Sequence, residues 1–294
     1  MLAVPEREPS ASRWASRAAL FSFGLIVTTA FLHRVFGMAT PVAFNLVMVA
    51  LGIAVFSIAS ALAAAFMIWQ TGRPGTARVL FAVCFSLAIL TAPLLFVVWV
   101  RDYPQIFDVT TDFDRPPEFT AVTQLRTPGS NSVAYDRRHS AETQAHAYPD
   151  IKPMTIGRSS EEVYALVVDA VKRLKMELVR EDAPDLDAGT PGMVEAVDRT
   201  LIMGFYDDVA IRVSGDGETS RVDIRSASRF GAGDMGRNAE RVRELIKEIQ
   251  ARVDATMPSA QEGREQAKQR KGAKPERDGG PKSETRRKSR AREQ

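Results

Sequence analysis

"DDVAIRVSGDGETSRVDIRSAS", residues 207–228, is the stretch on which the fold turns. Val209, Ile211 and Val213 alternate with other residues, as do Val222 and Ile224, and "GDGETS" between the two runs has the composition of a turn. A period of two with one apolar side describes an antiparallel hairpin laid on a core. The alternation sets Arg212 across from Asp223 and Arg225 near Asp208 and Ala210. Asp207 and Asp208, being neighbours on a strand, point to opposite faces and cannot act as a pair. The polar side of the hairpin is expected to be a solvated face of paired charges; a polar floor for a ligand is the alternative.

Further strands are expected at 193–197 and at 201–205, the latter running on or bending into 209–213. Upstream, "SSEEVYALVVDAVKRLKMEL" (159–178) opens with a capping box, Ser159 with Glu162. Val163, Leu166, Val167, Ala170, Val171 and Leu174 then form one apolar stripe of a helix. Downstream, a last helix from about Gly236 to Asp254 presents Val242, Leu245, Ile246, Ile249 and Val253. This order gives an α+β domain over 102–257, an antiparallel sheet with two amphipathic helices, packed on one face or gripped by a curved sheet. Its first part, 102–156, is punctuated by prolines and keeps no period. It is expected to be an extended arm, with "YPQIFDVTTDFDRPP" (103–117) packed on the body and "RTPGSNSVAYDRRHSAE" (126–142) mobile.

Before the domain lie three apolar runs, about 18–36, 42–69 and 77–100. A hydrocarbon core of ~30 Å needs about 20 such residues in a helix, so the runs predict three transmembrane helices. The first is the shortest; a cleaved signal peptide is its alternative. Arg7, Arg13, Arg17, Arg73 and Arg78 flank one side and Arg34 and Arg101 the other, which favours a cytoplasmic N-terminus. The expected setting is a bacterial inner membrane with the C-terminal domain periplasmic, and nucleic acid is not an expected partner. Neither of the irregular positions within the spans, Asn45 and Pro93, is ionisable, so the spans are expected to anchor rather than transport. The lone cysteine, Cys84, lies in the third run and allows no intrachain disulfide. Residues 258–294 lose every apolar period, and from Glu262 onward hold twelve Lys and Arg against six Asp and Glu. That composition predicts a disordered basic tail.

Five motifs in one order, "DVTTDFDRPP" (108–117), "AYPDI" (147–151), "VEAVDRT" (194–200), "GFYDDVAIRV" (204–213) and "DIRSASRFGAGDMGRNAERV" (223–242), resemble the family catalogued as domain of unknown function 1499. The resemblance implies an envelope or organelle-membrane setting and lends no catalytic residue. It marks as ligand-binding candidates Asp112, Tyr148, Asp150, Asp198, Arg199, Asp208, Arg225, Ser228, Arg229, Asp234 and Asn238.

The glycine- and arginine-rich entry to the last helix could cradle a phosphate at the helix N-terminus. Asp234 stands where the anion would go, however, and no Gly-Lys-Ser/Thr ending is present, so a capped helix entry is the preferred reading. His139 and His146 lack ligand spacing, and neither a metal nor a cofactor is implied. Two functions follow. The preferred one is a membrane-anchored module that binds or scaffolds an envelope protein, anionic lipid or glycan near Arg199, Arg225 and Arg229. The alternative is a membrane-bound hydrolase or transferase using Asp112, Asp150 and Asp198, which requires those carboxylates to converge.

Overall fold

The computed structural model describes residues 7–200 and 203–256. The chain parts into two compact units after Val253; of the second, 254–294, only the first three residues are described, and the expected basic tail lies outside the described residues.

Three helices long and apolar enough to cross a membrane come first, α1 (Ser10–Phe36), α2 (Thr40–Thr71) and α3 (Thr76–Val100), and the chain is a membrane protein. Lipid offers no hydrophobic drive for helices to associate, so close packing requires small side chains at the contacts. That is what the seam contains. Buried positions are Ser12, Ala15, Ala19, Ser22, Thr29 and, at the end next to the domain, His33 on α1, and Ala43, Ala50, Ala54, Ser57, Ala61 and Ala64 on α2; all but His33 are small. The alternating steps of three and four keep one narrow stripe facing its neighbour. Hydroxyls close the backbone gaps: Ser22 Oγ donates to the Ala50 carbonyl at 2.7 Å and Ser57 Oγ to that of Ala15 at 2.9 Å. Ser86 of α3 donates in turn to Ser57 Oγ at 2.9 Å.

The hairpin forms as its alternation demands. β5 (Tyr206–Gly215) and β6 (Ser220–Ser228) pair with Arg212 opposite Asp223 and Ala210 opposite Arg225. Asp216 Oδ1 accepts the backbone N–H groups of Glu218 and Thr219, each at 2.8 Å, and so shapes the turn. Gly215 must be glycine: its φ is +150°, and a Cβ there would lie 2.2 Å from the Thr219 carbonyl oxygen. With β1 (Asp108–Thr110), β2 (Met154–Ile156), β3 (Glu177–Asp182) and β4 (Gly192–Arg199), the antiparallel sheet runs β1-β6-β5-β4-β3, and β2 also pairs with β6. On its inner face, Val194, Ala196, Val209, Ile211, Val213, Val222 and Ile224 pack against α5 (Ser160–Arg173) and α6 (Arg237–Ala255). Both helices lie on this one face. Ser159 caps α5 by accepting from the Glu162 N–H at 3.3 Å.

Four expectations are corrected. First, the arm is not irregular: it supplies β1 and β2, a 3₁₀ turn at Val122–Leu125, a π turn at Arg137–Ala141 and the short α4 (Glu142–Ala147). Strands of three residues are too short to show a period of two, so they left no pattern to read. Second, α5 stops at Arg173, because Lys175 adopts φ 59°, and the chain turns into β3, whose first two residues the helical reading had taken and whose remainder it left unassigned. Third, of the strand expected at 201–205, the described part, 203–205, is not a strand. Leu201 and Ile202 lie outside the described residues; the remainder is a turn closed by Thr200 N–H to the Phe205 carbonyl at 2.8 Å. Its apolar character suits its place, for the Phe205 ring meets that of His33 in the last turn of α1 at 5.6 Å. Fourth, most of the polar side of the hairpin is covered rather than solvated, because residues 111–135 lie across it as a strap; Arg221 and part of Arg212 still reach solvent.

Candidate functional site

The strap is held mainly by side chains rising from the outer face of the sheet. Glu195, fully buried in the middle of β4, accepts the backbone N–H groups of Thr120, Ala121 and Val122 at 3.0–3.1 Å, along with the Thr120 hydroxyl. It thereby acts as an N-terminal cap for the 3₁₀ turn, although it is more than seventy residues away. Burial pushes the Glu195 pKa up, and these hydrogen bonds more than offset it, leaving the group below its ordinary value. Arg225 forms a bidentate pair with Asp108 at 3.0 and 2.7 Å and donates to the carbonyls of Pro117 and Val133. Asp208 accepts from Arg229 at 2.6 Å and from Arg126 of the strap at 2.7 Å. Asp112 Oδ2 accepts from Arg212 at 3.0 Å and Arg221 at 3.1 Å, and both arginines also reach Asp223. Burial raises the Asp112 pKa, but N–H bonds from Arg115 and Asp114 and the two guanidinium charges bring it below the ordinary value.

A second buried network lies between the sheet and α6. Arg241 donates to Asp207 at 2.6 Å, to Asp198 at 2.8 Å, to Asn238 Oδ1 at 2.7 Å and to Ser226 Oγ at 3.0 Å. Asn238 donates to Ser228 Oγ at 3.0 Å and to the Phe107 carbonyl at 2.9 Å. Asp234 accepts the backbone N–H groups of Gly236 at 2.9 Å and Asn238 at 2.7 Å, so the glycine-rich entry is a capped helix start, as the preferred reading had it. Burial raises the pKa of both Asp207 and Asp234.

The sequence-derived candidates therefore fall into separate places. Asp208, Arg225 and Arg229, with Asp112, belong to the strap network; Asp198, Ser228, Asp234 and Asn238 belong to the network under α6. Asp150 pairs with Arg243 at 2.6 and 2.8 Å on the surface, and the same guanidinium lies 5.3 Å from the centroid of the Tyr148 ring. Arg199 donates to the Arg34 carbonyl at 2.7 Å and to that of His33 at 3.3 Å, at the C-terminal end of α1. Asp112 and Asp198 stand on opposite faces of the sheet, and Asp112, Asp150 and Asp198 each pair with different arginines. The convergence that an acidic catalytic centre requires is not formed. Arg225 and Arg229 are buried in ion pairs, so reversing their charge would unsettle the strap rather than strip a docking surface.

Sequence reasoning missed Glu195, Asp108, Arg126 and Arg241. Arg241 left a signal: it falls on the α6 stripe, three residues after Asn238 and four before Leu245, where an arginine must be buried and paired. Glu195 and Asp108 left none, since a charged residue on an outward strand position normally meets water.

What opens to solvent is a cleft of about 780 Å³ between strap and sheet. Its lining includes Arg115, Phe119, Tyr135, Arg180, Arg212 and Arg225. Arg180 is held by Asp182, Glu195 and Thr120, and Arg225 by Asp108. Arg212 uses only Nη2 in its two ion pairs, and the exposed Arg115 side chain has no partner among the described residues. Asp114, also on the lining, is paired with Arg137, while the exposed Glu118 carboxylate has no partner among the described residues. The free charged groups at the cleft are thus two guanidinium edges and one carboxylate, a balance of donors over acceptors that suits an acceptor-rich ligand. Among the described residues, no group of His, Cys, Asp or Glu is arranged to hold a metal.

Residues 108–249 match the family described as "Protein of unknown function (DUF1499)", the family that the five motifs resemble. No curated protein matches the chain.

Proposed function

With its extramembrane part a DUF1499 domain, for which the family description gives no activity, we propose from the geometry that the chain is a membrane-anchored binding module of the cell envelope. The cleft between strap and sheet takes the acceptor-rich part of an envelope component, such as the carboxylate or phosphate of a glycan. One observation carries this reading: the cleft of about 780 Å³ presents Arg115 and the free edge of Arg212 beside the rings of Phe119 and Tyr135. Unpaired guanidinium groups recognise planar oxyanions bidentately. Of the arginines expected from sequence, Arg225 lines this cleft but is paired with Asp108, and Arg199 and Arg229 are engaged outside it.

The N-terminus is cytoplasmic and the domain lies on the far side, in a bacterium the periplasm. Supporting this, Arg78 pairs with Glu8 at 2.7 Å, gathering the arginine-rich N-terminal segment and the α2–α3 turn at the end of the bundle away from the domain. Such an excess of arginine marks the cytoplasmic side.

The test uses the full chain in lipid nanodiscs with glucuronate, glucose 6-phosphate and glucose as probes. The two anionic sugars bind saturably and glucose does not, and Arg115→Ala weakens binding about tenfold without changing the melting temperature, a loss in line with one charge-assisted hydrogen bond. Equal binding of all three sugars, binding of none, or an Arg115→Ala chain that binds like the parent would overturn the reading.

A further inference from the structure

At the end of the sheet where β4 and β6 finish and β5 starts, three loops of the domain touch the ends of the three helices. The loop after β4 meets the end of α1: Arg199 donates to the Arg34 and His33 carbonyls, and a Cβ on Gly204 would lie 2.9 Å from Arg34 Cδ. The turn of the strap meets the start of α2, where a Cβ on Gly129 would lie 3.9 Å from Pro41 Cγ. The loop after β6 meets the chain just beyond α3, with Gly233 against Pro104 and Gln105 and Gly236 against Tyr103. The Tyr103 ring packs in turn on Trp99, in the last turn of α3, at 5.2 Å. Such rings favour the headgroup level of a bilayer, so this end of the domain stands at that level.

Outside the spans, the described residues expose three large apolar side chains, Leu125, Leu186 and Met203. Leu186 lies in the β3–β4 connection, at the opposite end of the sheet. Met203 adjoins Gly204, and Leu125 lies four residues before Gly129, with its carbonyl accepting from Arg229 at 3.1 Å. Met203 is continuous with the exposed Val35 and Phe36 at the end of α1, which face lipid if α1 spans the membrane. Backbone must be hydrogen-bonded before it can leave water. The loop beside Met203 meets that demand internally: Thr200 N–H donates to the Phe205 carbonyl at 2.8 Å, Gly204 N–H to the Thr200 carbonyl at 3.0 Å, and Phe205 N–H to Thr200 Oγ1 at 2.8 Å. In the strap turn, Arg126 N–H donates to Thr123, Ser130 N–H to Thr127 and Asn131 N–H to Arg229. The charge of Arg199 is spent on the carbonyls of α1.

We propose that this end of the domain is a lipid-contact surface, in which Met203 and Leu125 enter the interfacial layer of the bilayer that the three helices cross. Lipid takes their apolar area out of water, and the paired backbone around them loses no hydrogen bond. Neither residue lines the cleft, and the surface does not depend on what the cleft binds.

The experiment places single cysteines at 203, 125 and 186 in a Cys84→Ser full chain, each carrying a polarity-sensitive fluorophore. The chain is set in nanodiscs of phosphatidylcholine and phosphatidylglycerol, with or without lipid bearing a nitroxide quencher high on its acyl chain. Probes at 203 and 125 lose emission to the nitroxide lipid and are shielded from iodide in the water; the probe at 186 does the reverse. Iodide quenching at 203 or 125 as strong as at 186 overturns the proposal. Shielding from iodide without quenching by the nitroxide lipid overturns it too, and would mean that a second copy of the chain covers the residue. Should a labelled chain melt earlier than the parent, photoactivatable phosphatidylcholine is crosslinked to the unmodified chain and the adducts are mapped by mass spectrometry. Adducts at Met203 and Leu125 but not Leu186 are expected, and adducts confined to the helices overturn the proposal.

Discussion

Arg241 and Asp207 meet across the interface of α6 and the sheet, Nη2 to Oδ2 at 2.6 Å, with both side chains closed to solvent. Removing one member of such a pair strands the other charge, at a cost of about 3–5 kcal/mol. Arg241→Ala and Asp207→Ala are therefore each expected to lower the melting temperature of the intact chain by roughly 10 °C. The joint replacement Arg241→Met with Asp207→Leu strands neither charge and recovers part of that loss, as a double-mutant cycle by calorimetry would register.

Glu195 ties the strap to β4. Glu195→Gln keeps the shape but loses the charge that several donors share, and is expected to cost about 1.5–3 kcal/mol of strap attachment. The readout is limited trypsin digestion, with cleavage after Arg126 accelerated about tenfold or more. Acid has a related effect in the parent chain. Because the folded pKa lies below the unfolded one, near ~4.3, this stabilisation is present above that value and is lost as pH falls through the folded pKa. Pepsin should then cut the strap faster as the pH is lowered through that window.

Asp234 titrates in the opposite sense. Burial lifts its pKa, the N–H bonds from Asn238 and Gly236 oppose that, and the Asp207 charge adds to the lift. A raised folded pKa means that folding takes up a proton. The linked stabilisation is complete below the unfolded value of ~3.9 and disappears as pH rises through the folded pKa. Asp234→Asn keeps a capping oxygen, so it costs less at neutral pH than Asp234→Ala, for which about 1 kcal/mol is expected. Comparing melting of the parent and Asp234→Asn across acid pH should show the gap widening in favour of the parent as pH falls.

In the membrane, Ser57 stands at the meeting point of all three spans. Ser57→Ala loses hydrogen bonds worth about 0.6 kcal/mol each and should be mild. Ser57→Leu forces a branched side chain into a seam of alanines and serines and should cost about 1–3 kcal/mol. Thermal aggregation of the purified chain in detergent separates the two.

The sheet's centre was legible in the sequence because Val209, Ile211, Val213, Val222 and Ile224 alternate, and both helices because their stripes repeat. The spans were legible from length and lack of charge. The strap was not. Its order comes from Glu195, Arg225 and Asp208 reaching backbone and side chains eighty or more residues away in several cases, and no local period records such bonds. Of the positions the motifs marked as ligand-binding candidates, Asp208, Arg225, Arg229, Asp234 and Asn238 sit at the junctions of the two buried networks. Their burial was not legible, since a buried, paired arginine and an exposed, vacant one look alike in a sequence.

Arg199 grips the end of α1 while the chain leaves α3 directly into the domain, which gives the head two footings rather than one. A lone tether would let it swivel; a bracket does not. Arg199 and Met193 are six residues apart on β4, so the mouth of the cleft stands about 20 Å along the strand from the footing on α1. If the cleft captures a ligand as proposed, that ligand would be held at a set distance from the end of α1.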